Sequence, residues 1–513
     1  MKNILFLIVL LHFSYTQAQE PWVYENEYAY GKQILETYDG GTLILATVIW
    51  ATGESKLFKL DRIGEVLWEH TLEEEGNGLV PLCITEDKDG NVFIGGRTHK
   101  YTGTIKGDAF LLKLNACGEF IWFVKHESEG YMNTTTNIFL DENTSIFILQ
   151  QLGSSEGRFT LRKLNPQGEI LWTKQHFQEI GGSPSAMTRT SDGGFVLNGT
   201  VYVPPYYDPE YPVHMVRNGV VKTDSLGNEE WVNIYRWEED SMDTIFISSG
   251  GGLQEINSSG FIASTLDRNE SNLRLSMYEL NSNGEVLWNK IIAKPDTMYD
   301  KTKIILLHDS TLLIATSASL PESPFQRHLE VYKMDLQGNK IDEFVDNNNL
   351  LITSDFRLNS DSSSVFIMPA ARSINSTYSL YALKLNPYTM ELDSFALEDD
   401  TEYDYFCPEG VVDQTINFPN LGVEDVFVKE KQQLRIAPNP AKNYTYVYFE
   451  IENYNRSAKI EIHNMQGQQI CSCPTLASEG RLYQDLSSYS SGMYIVSLVV
   501  DNRVVETQQM VVE

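Results

Sequence analysis

From about residue 20 to about residue 430 the chain alternates short apolar runs with Gly-containing turns, the pattern of β-strands. One run in each unit is apolar at consecutive positions: Leu57 and Phe58, Leu111 and Leu112, Val220 and Val221, Val331 and Tyr332. Successive side chains of a strand point to opposite faces, so these runs are expected to be buried on both sides, as in a sheet stacked between two others. An open sheet would show strict alternation instead.

Each of these runs leads into Lys-Leu-Asp or Lys-Leu-Asn, a Gly-Glu turn and then a Trp. The clearest copies are Lys59 with Gly64 and Trp68, Lys113 with Gly118 and Trp122, and Lys163 with Gly168 and Trp172. Weaker copies begin at Lys222, Glu279, Lys333 and Lys384, and the successive offsets are 54, 50, 59, 57, 54 and 51 residues. Upstream of the Lys stands a hairpin turn, Asp39-Gly40, Asp89-Gly90 or Asp192-Gly193 in the clearest units. A unit therefore holds four strands, and seven such units predict an all-β fold, a seven-bladed β-propeller over residues 19–428. The recurrent Trp is expected to pack between neighbouring blades. Asp342 and Asp393 replace it in units six and seven, which are expected to be degenerate.

Antiparallel strands send alternate connections to opposite faces of the disc. The Asp-Gly and Gly-Glu turns share one face and are short throughout. The other face collects the connections that vary in length. In unit four the distance from Asp192 to Lys222 is 30 residues, against 20 from Asp39 to Lys59. The extra residues include Tyr206, Tyr207, Asp208 and Tyr211, and the next connection carries Trp237 and Glu238. Aromatic rings flanked by carboxylates suit stacking on sugar rings or gripping a peptide, so these six are the candidate ligand-binding residues. The alternative is a packed loop covering the rim. Glu73-Glu74-Glu75 is expected on the same face.

The repeat spacing resembles that of quinoprotein-like propellers, and more closely the Lys-Leu-Asp, Gly-Glu, Trp repeats of exported bacterial propellers that carry a sorting domain. No adjacent Cys-Cys pair and no eighth unit is visible, so a quinone is not carried over and no cofactor is expected. The net charge of −31, from 39 Lys and Arg against 70 Asp and Glu, argues against nucleic acid as a partner. The nine His residues form no H-E-x-x-H pair, and neither a G-x-S-x-G elbow nor a Walker loop is present, so no catalytic residue or metal ligand is assigned. Asp87-Lys88-Asp89-Gly90-Asn91 mimics a calcium loop without its distal carboxylate. The five cysteines are expected to be mostly buried or free thiols, with Cys471 and Cys473 a poor fit to ordinary disulfide geometry if their segment is an extended strand with both side chains on one face.

The two ends carry address signals. Lys2, an apolar stretch from Ile4 to Phe13 and the small residue Ala18 match a signal peptide over residues 1–18, cleaved after Ala18; an uncleaved anchor is the alternative. After a polar linker at 429–433, residues 434–513 read as a small β-sandwich. Pro438-Asn439-Pro440, a strand leading to the turn at Gly467, and Ser491-Gly492-Met493-Tyr494 resemble the type A C-terminal sorting domain of type IX secretion cargo. The chain departs from that family at Gln508-Gln509-Met510, where Lys is frequent. The resemblance implies the type IX secretion machinery as a partner, passage from the periplasm through the outer membrane, and secretion or attachment at the cell surface. The expected function is a binding or scaffold module, taking a surface glycan or extracellular protein, with no transmembrane segment in the mature chain. The runner-up is an extracellular polysaccharide- or peptide-degrading hydrolase or lyase on the variable-loop face.

Overall fold

The computed structural model describes residues 23–512 apart from a set of connections. The longest of these are 49–54, 100–106, 127–132, 204–214, 236–248, 347–352, 394–406, 408–413, 419–433 and 451–457, with others of one to four residues. The chain folds as two compact units, 1–422 and 423–513.

The first unit is a β-propeller. Its first sheet runs outward from Ala29–Glu36 through Thr42–Val48 and Ser55–Leu60 to Val66–Glu74, and its second through Gly78–Glu86, Val92–His99, Ala109–Leu114 and Phe120–His126. Four more sheets repeat this order, beginning at Thr134–Leu140, Gly182–Arg189, Ser249–Ile256 and Met298–Leu306. Third strands are buried on both faces, as their consecutive apolar residues require: Leu57, Phe58, Leu111 and Leu112 are all fully buried.

The seventh sheet departs from the expected unit. It contains Thr353–Leu358, Val365–Pro369 and Thr377–Leu385, and its outer strand is the N-terminal Val23–Glu27, with Val23 opposite Leu383. Asp393 is thus not on an outer strand; it lies 3.9 Å from Lys384 as an ion pair. Core clusters join each sheet to the next. Leu43 and Leu57 of the first pack with Ile94 and Phe110 of the second, and Phe366, Met368 and Leu380 of the seventh pack with Ile34, Ile44 and Phe58 of the first. The ring is therefore closed by apolar burial as well as by strand pairing.

The repeated residues are the parts of this stack. Lys59 stands opposite Trp68 in register, as do Lys113 and Trp122, Lys163 and Trp172, and Lys222 and Trp231. Lys59 Nζ lies 2.7 Å from Asp39 of the hairpin turn, and Lys222 Nζ 2.7 Å from Asp192. Each Trp ring lies against the turn Gly of the following sheet. A Cβ on Gly227 would come 2.8 Å from the Trp172 ring, and one on Gly284 2.7 Å from Trp231. These glycines also hold φ near +77° and +78°, which disfavours any other residue. The Trp231 indole donates to Ser282 O at 2.8 Å, fixing the pair.

Two features bind the segment after the seventh sheet. Gln414–Phe418 adds a parallel fifth strand to the outer edge of the first sheet, setting Asn417 and Phe418 opposite Glu73 and Glu74. Glu73 and Glu74 therefore end an outer strand, and Glu75 lies outside the described residues. Cys407 forms a disulfide with Cys117, which sits on a turn of the second sheet. This corrects the expectation of free thiols, because the ring brings together cysteines 290 residues apart. Cys471 and Cys473 are likewise bonded, with Cα atoms 6.2 Å apart, and Cys83 alone among the five is a free, buried thiol.

The second unit is a sandwich. A three-stranded sheet of Leu434–Ala437, Tyr444–Glu450 and Glu479–Asp485 faces a four-stranded sheet of Ala458–Asn464, Gln469–Thr475, Gly492–Val500 and Arg503–Val512. Leu434 and Val447 from the first meet Ile460, Ile462, Val496 and Met510 from the second in one core.

Candidate functional site

The six candidate ligand residues, Tyr206, Tyr207, Asp208, Tyr211, Trp237 and Glu238, lie outside the described residues, as does Ala18. The strands that lead to them are described. Phe195–Val203 and Met215–Thr223 pair to their ends, with Val203 opposite Met215, and Tyr235 closes the outer strand three positions below, opposite Asn218. Both connections therefore leave the same end of the fourth sheet.

Inside the ring, each innermost strand carries a β-bulge at the matching place, between Gly31 and Gln33 in the first sheet, Pro81 and Cys83 in the second, and Thr353 and Asp355 in the seventh. A bulge frees backbone groups and re-aims side chains. At the junction of these three sheets Asp355 accepts from Ile34 N and from Arg357 Nε, both at 3.0 Å. Gln33 Oε1 accepts from Ile84 N at 2.8 Å and from Arg357 Nη2 at 2.7 Å. Burial pushes the nearby Cys83 thiol up to about 12, so it stays protonated and is no nucleophile at neutral pH.

A second polar cluster joins the second and third sheets. His126 Nδ1 lies 2.8 Å from Gln150 Nε2, which also donates to Thr135 Oγ1 at 2.8 Å, while Arg162 Nη1 donates to Gln150 Oε1 at 3.1 Å. Burial, aided by Arg162, drives the His126 ring down to about 3, so it is neutral and accepts through Nδ1. In the sixth sheet His328 Nε2 lies 2.9 Å from Glu330, to which the Tyr332 hydroxyl donates, and Tyr299 Oη lies 3.3 Å from Tyr332 Oη. Burial and then Glu330 push the Tyr332 phenol upward. Tyr332 also borders a cavity of about 270 Å³ with Lys290, Ile291, Met334 and Lys340. His126, neutral, and Tyr332, held protonated beside Glu330, are each fixed in one protonation state near pH 7.

On the short-turn face one group does titrate near neutrality. Glu86, ending the inner strand of the second sheet, accepts from Tyr38 N at 2.7 Å across the junction with the first. Burial raises its carboxyl to about 7. Beside it, burial alone would raise Asp39, yet Lys59 and hydrogen bonds from Thr37 and Gly41 hold it below the usual carboxylate value. Among the described residues no group of three His, Cys, Asp or Glu side chains could hold a metal ion, and no helix is long and apolar enough to cross a membrane.

The sorting-motif residues have structural tasks. Asn439 Nδ2 donates to Gln509 O at 2.7 Å and its Oδ1 accepts from Val511 N at 2.8 Å, tying the Pro-Asn-Pro turn to the last strand. Pro440 follows a cis bond, and Tyr494 Oη donates to Ser490 O at 2.9 Å. Gly492 opens its strand with open space about it, and Pro438 and Gly467 lie outside the described residues.

Residues 435–513 match the family described as the secretion system C-terminal sorting domain. No curated protein matches the chain. Among solved structures, an ulvan lyase of a polysaccharide lyase family, bound to -[GlcA(1-4)Rha3S]-, is 8% identical with a TM-score of 0.47, covering 71% of this chain and 95% of its own. A europium-containing methanol dehydrogenase is 10% identical with a TM-score of 0.40, covering 84% of each chain. A protein of unknown function from Bacteroides caccae is 14% identical with a TM-score of 0.31, covering 51% of this chain and 82% of its own. No activity is carried over from any of them. The C-terminal domain is a type IX sorting domain, and the chain is an exported β-propeller protein destined for secretion or the outer cell surface.

Proposed function

We propose that the propeller is a binding module, exported after removal of residues 1–18, that holds a glycan or extracellular protein on its variable-loop face. The observation that carries this reading is the unequal use of the two faces. On one, the repeated Lys, Asp, Gly and Trp are consumed in packing within and between blades, as Lys59 with Asp39 and Trp172 against Gly227 illustrate. On the other, the fourth sheet sends out two long connections rich in Tyr, Trp and carboxylates. The buried His126, Tyr332 and Cys83 are each fixed in one protonation state, which favours binding over catalysis among the described groups.

A glycan array and an extracellular-protein panel probed with the full chain test this. Replacing Tyr206, Tyr207 and Trp237 together with Ala should lower affinity at least tenfold and leave the melting temperature unchanged. Unaltered affinity, or turnover of a polysaccharide by the wild-type chain, would refute the binding reading.

A further inference from the structure

The outer surface of the three-stranded sheet in the sorting domain has a composition that its core does not explain. Tyr444, Tyr446 and Tyr448 occupy alternate positions of one strand and share a face, while Val447 between them is fully buried in the core. The register sets Tyr446 opposite Tyr483, Tyr448 opposite Arg481 and Tyr444 opposite Asp485. The rings touch in a continuous group. Tyr444 and Tyr483 have centroids 5.8 Å apart, Tyr446 and Tyr483 5.7 Å, and Tyr446 and Tyr448 6.2 Å, with the Arg481 guanidinium 4.9 Å from the Tyr446 ring. Tyr444 and Tyr483 remain 45% and 55% exposed. The outer face of the facing sheet carries Lys459 and Glu461, paired at 2.7 Å, and exposed Thr507 and Gln509, with Met493 and Val504 exposed as separate apolar side chains.

Tyr and Arg are the residues that dominate protein–protein hot spots, because a ring brings large apolar area at low entropic cost and ends in a hydrogen-bonding group. Tyr444 and Tyr483 lie nearly parallel, at an interplanar angle of 25°. The register places Arg481 on one side of Tyr448 and Arg435 on the other, and Asp485 opposite Tyr444. A domain whose role is to be handled for export must be touched by a protein of the export machinery, and this is its aromatic, sheet-borne surface.

We propose that the face formed by Tyr444, Tyr446, Tyr448, Arg481 and Tyr483 is where a protein of the type IX export machinery grips the chain, through slots that take the rings and acceptors for the hydroxyls and guanidinium. The proposal rests on the export reading, and the test separates the two. In a bacterium with a working type IX system, the full chain is compared with a Tyr444→Ser, Tyr446→Ser, Tyr483→Ser variant, with Arg481→Glu, and with a chain lacking residues 434–513. Met493→Ser with Val504→Ser, exposed on the facing sheet, is the control. The triple variant should be exported at least tenfold less and accumulate in the periplasm; Arg481→Glu, which alters no core contact, should fall severalfold, and the control should match wild type. Wild-type export by Arg481→Glu or by the triple variant, while the deletion is retained, overturns this face alone. Undiminished export of the deletion overturns the export reading itself.

Discussion

Glu86 gives the propeller a dependence on pH that can be worked from its surroundings. Its carboxyl titrates at about 7 in the fold because burial penalises the charged form more than Tyr38 N and Lys59 favour it. Its ordinary value is 4.5. Between those values the unfolded chain has released the proton and the folded chain still holds it. Stability therefore falls as pH rises from 4.5 to 7, and the loss is complete above 7. At about 1.4 kcal/mol per pH unit the loss is about 3 kcal/mol. Glu86→Gln keeps an acceptor for Tyr38 N and removes the charge, so the variant should match wild type near pH 4 and exceed it by about 3 kcal/mol at pH 8. If the ring unfolds as one unit with ~2 cal/mol/K of entropy per residue, that is a rise in Tm of roughly 4 °C. Urea unfolding of both chains between pH 4 and 8, followed by tryptophan fluorescence, gives the difference directly and cancels the other titrating groups. Parallel pH profiles, or a less stable Gln variant at pH 8, would refute the reasoning.

Two further outcomes follow from the packing. Gly227→Ala should destabilise by about 2–4 kcal/mol, because it adds left-handed strain and a Cβ 2.8 Å from the Trp172 ring. Gly40→Ala has similar strain but meets only the flexible end of Arg62 at 3.2 Å, so it should cost about half as much; equal urea midpoints for the two would count against the Trp–Gly contact. Cys117→Ser should lose up to about 5 kcal/mol, since the bond to Cys407 closes a separation of 290 residues. Wild-type melting of that variant, compared with and without reductant, would show that the bond carries no stability.

The repeat was legible because its residues act over short distances in sequence: Lys59 reaches Asp39 and Trp68 within one unit, and the consecutive apolar pair Leu57 and Phe58 reports burial on both faces. The features that escaped depend on encounters between distant segments. Nothing near Val23 announces that it will complete the sheet containing Leu383, and nothing near Cys407 announces Cys117. The parallel strand Gln414–Phe418 is equally silent, since its partner is the edge of the first sheet. The bulges at Gln33, Cys83 and Asp355 leave no periodic trace, so the pattern of residues does not reveal the polar cluster they aim inward. The tyrosine face was readable as alternation in Tyr444, Tyr446 and Tyr448, but only the register brings Arg481 and Tyr483 beside them.

The pairing of Val23–Glu27 with Thr377–Leu385 also sets a clock. A chain emerging from its N-terminus offers this strand first and its partner sheet nearly last, so the seam waits while the six sheets between them assemble. Such long-range pairing is slow, because the loop must be closed before the contact rewards it. Until then the first sheet's Ile34, Ile44 and Phe58 lack their partners in the seventh, and an apolar flank stays open to water. The sorting domain follows only after the seventh sheet. By the time it has emerged, every strand needed to shut the ring is available.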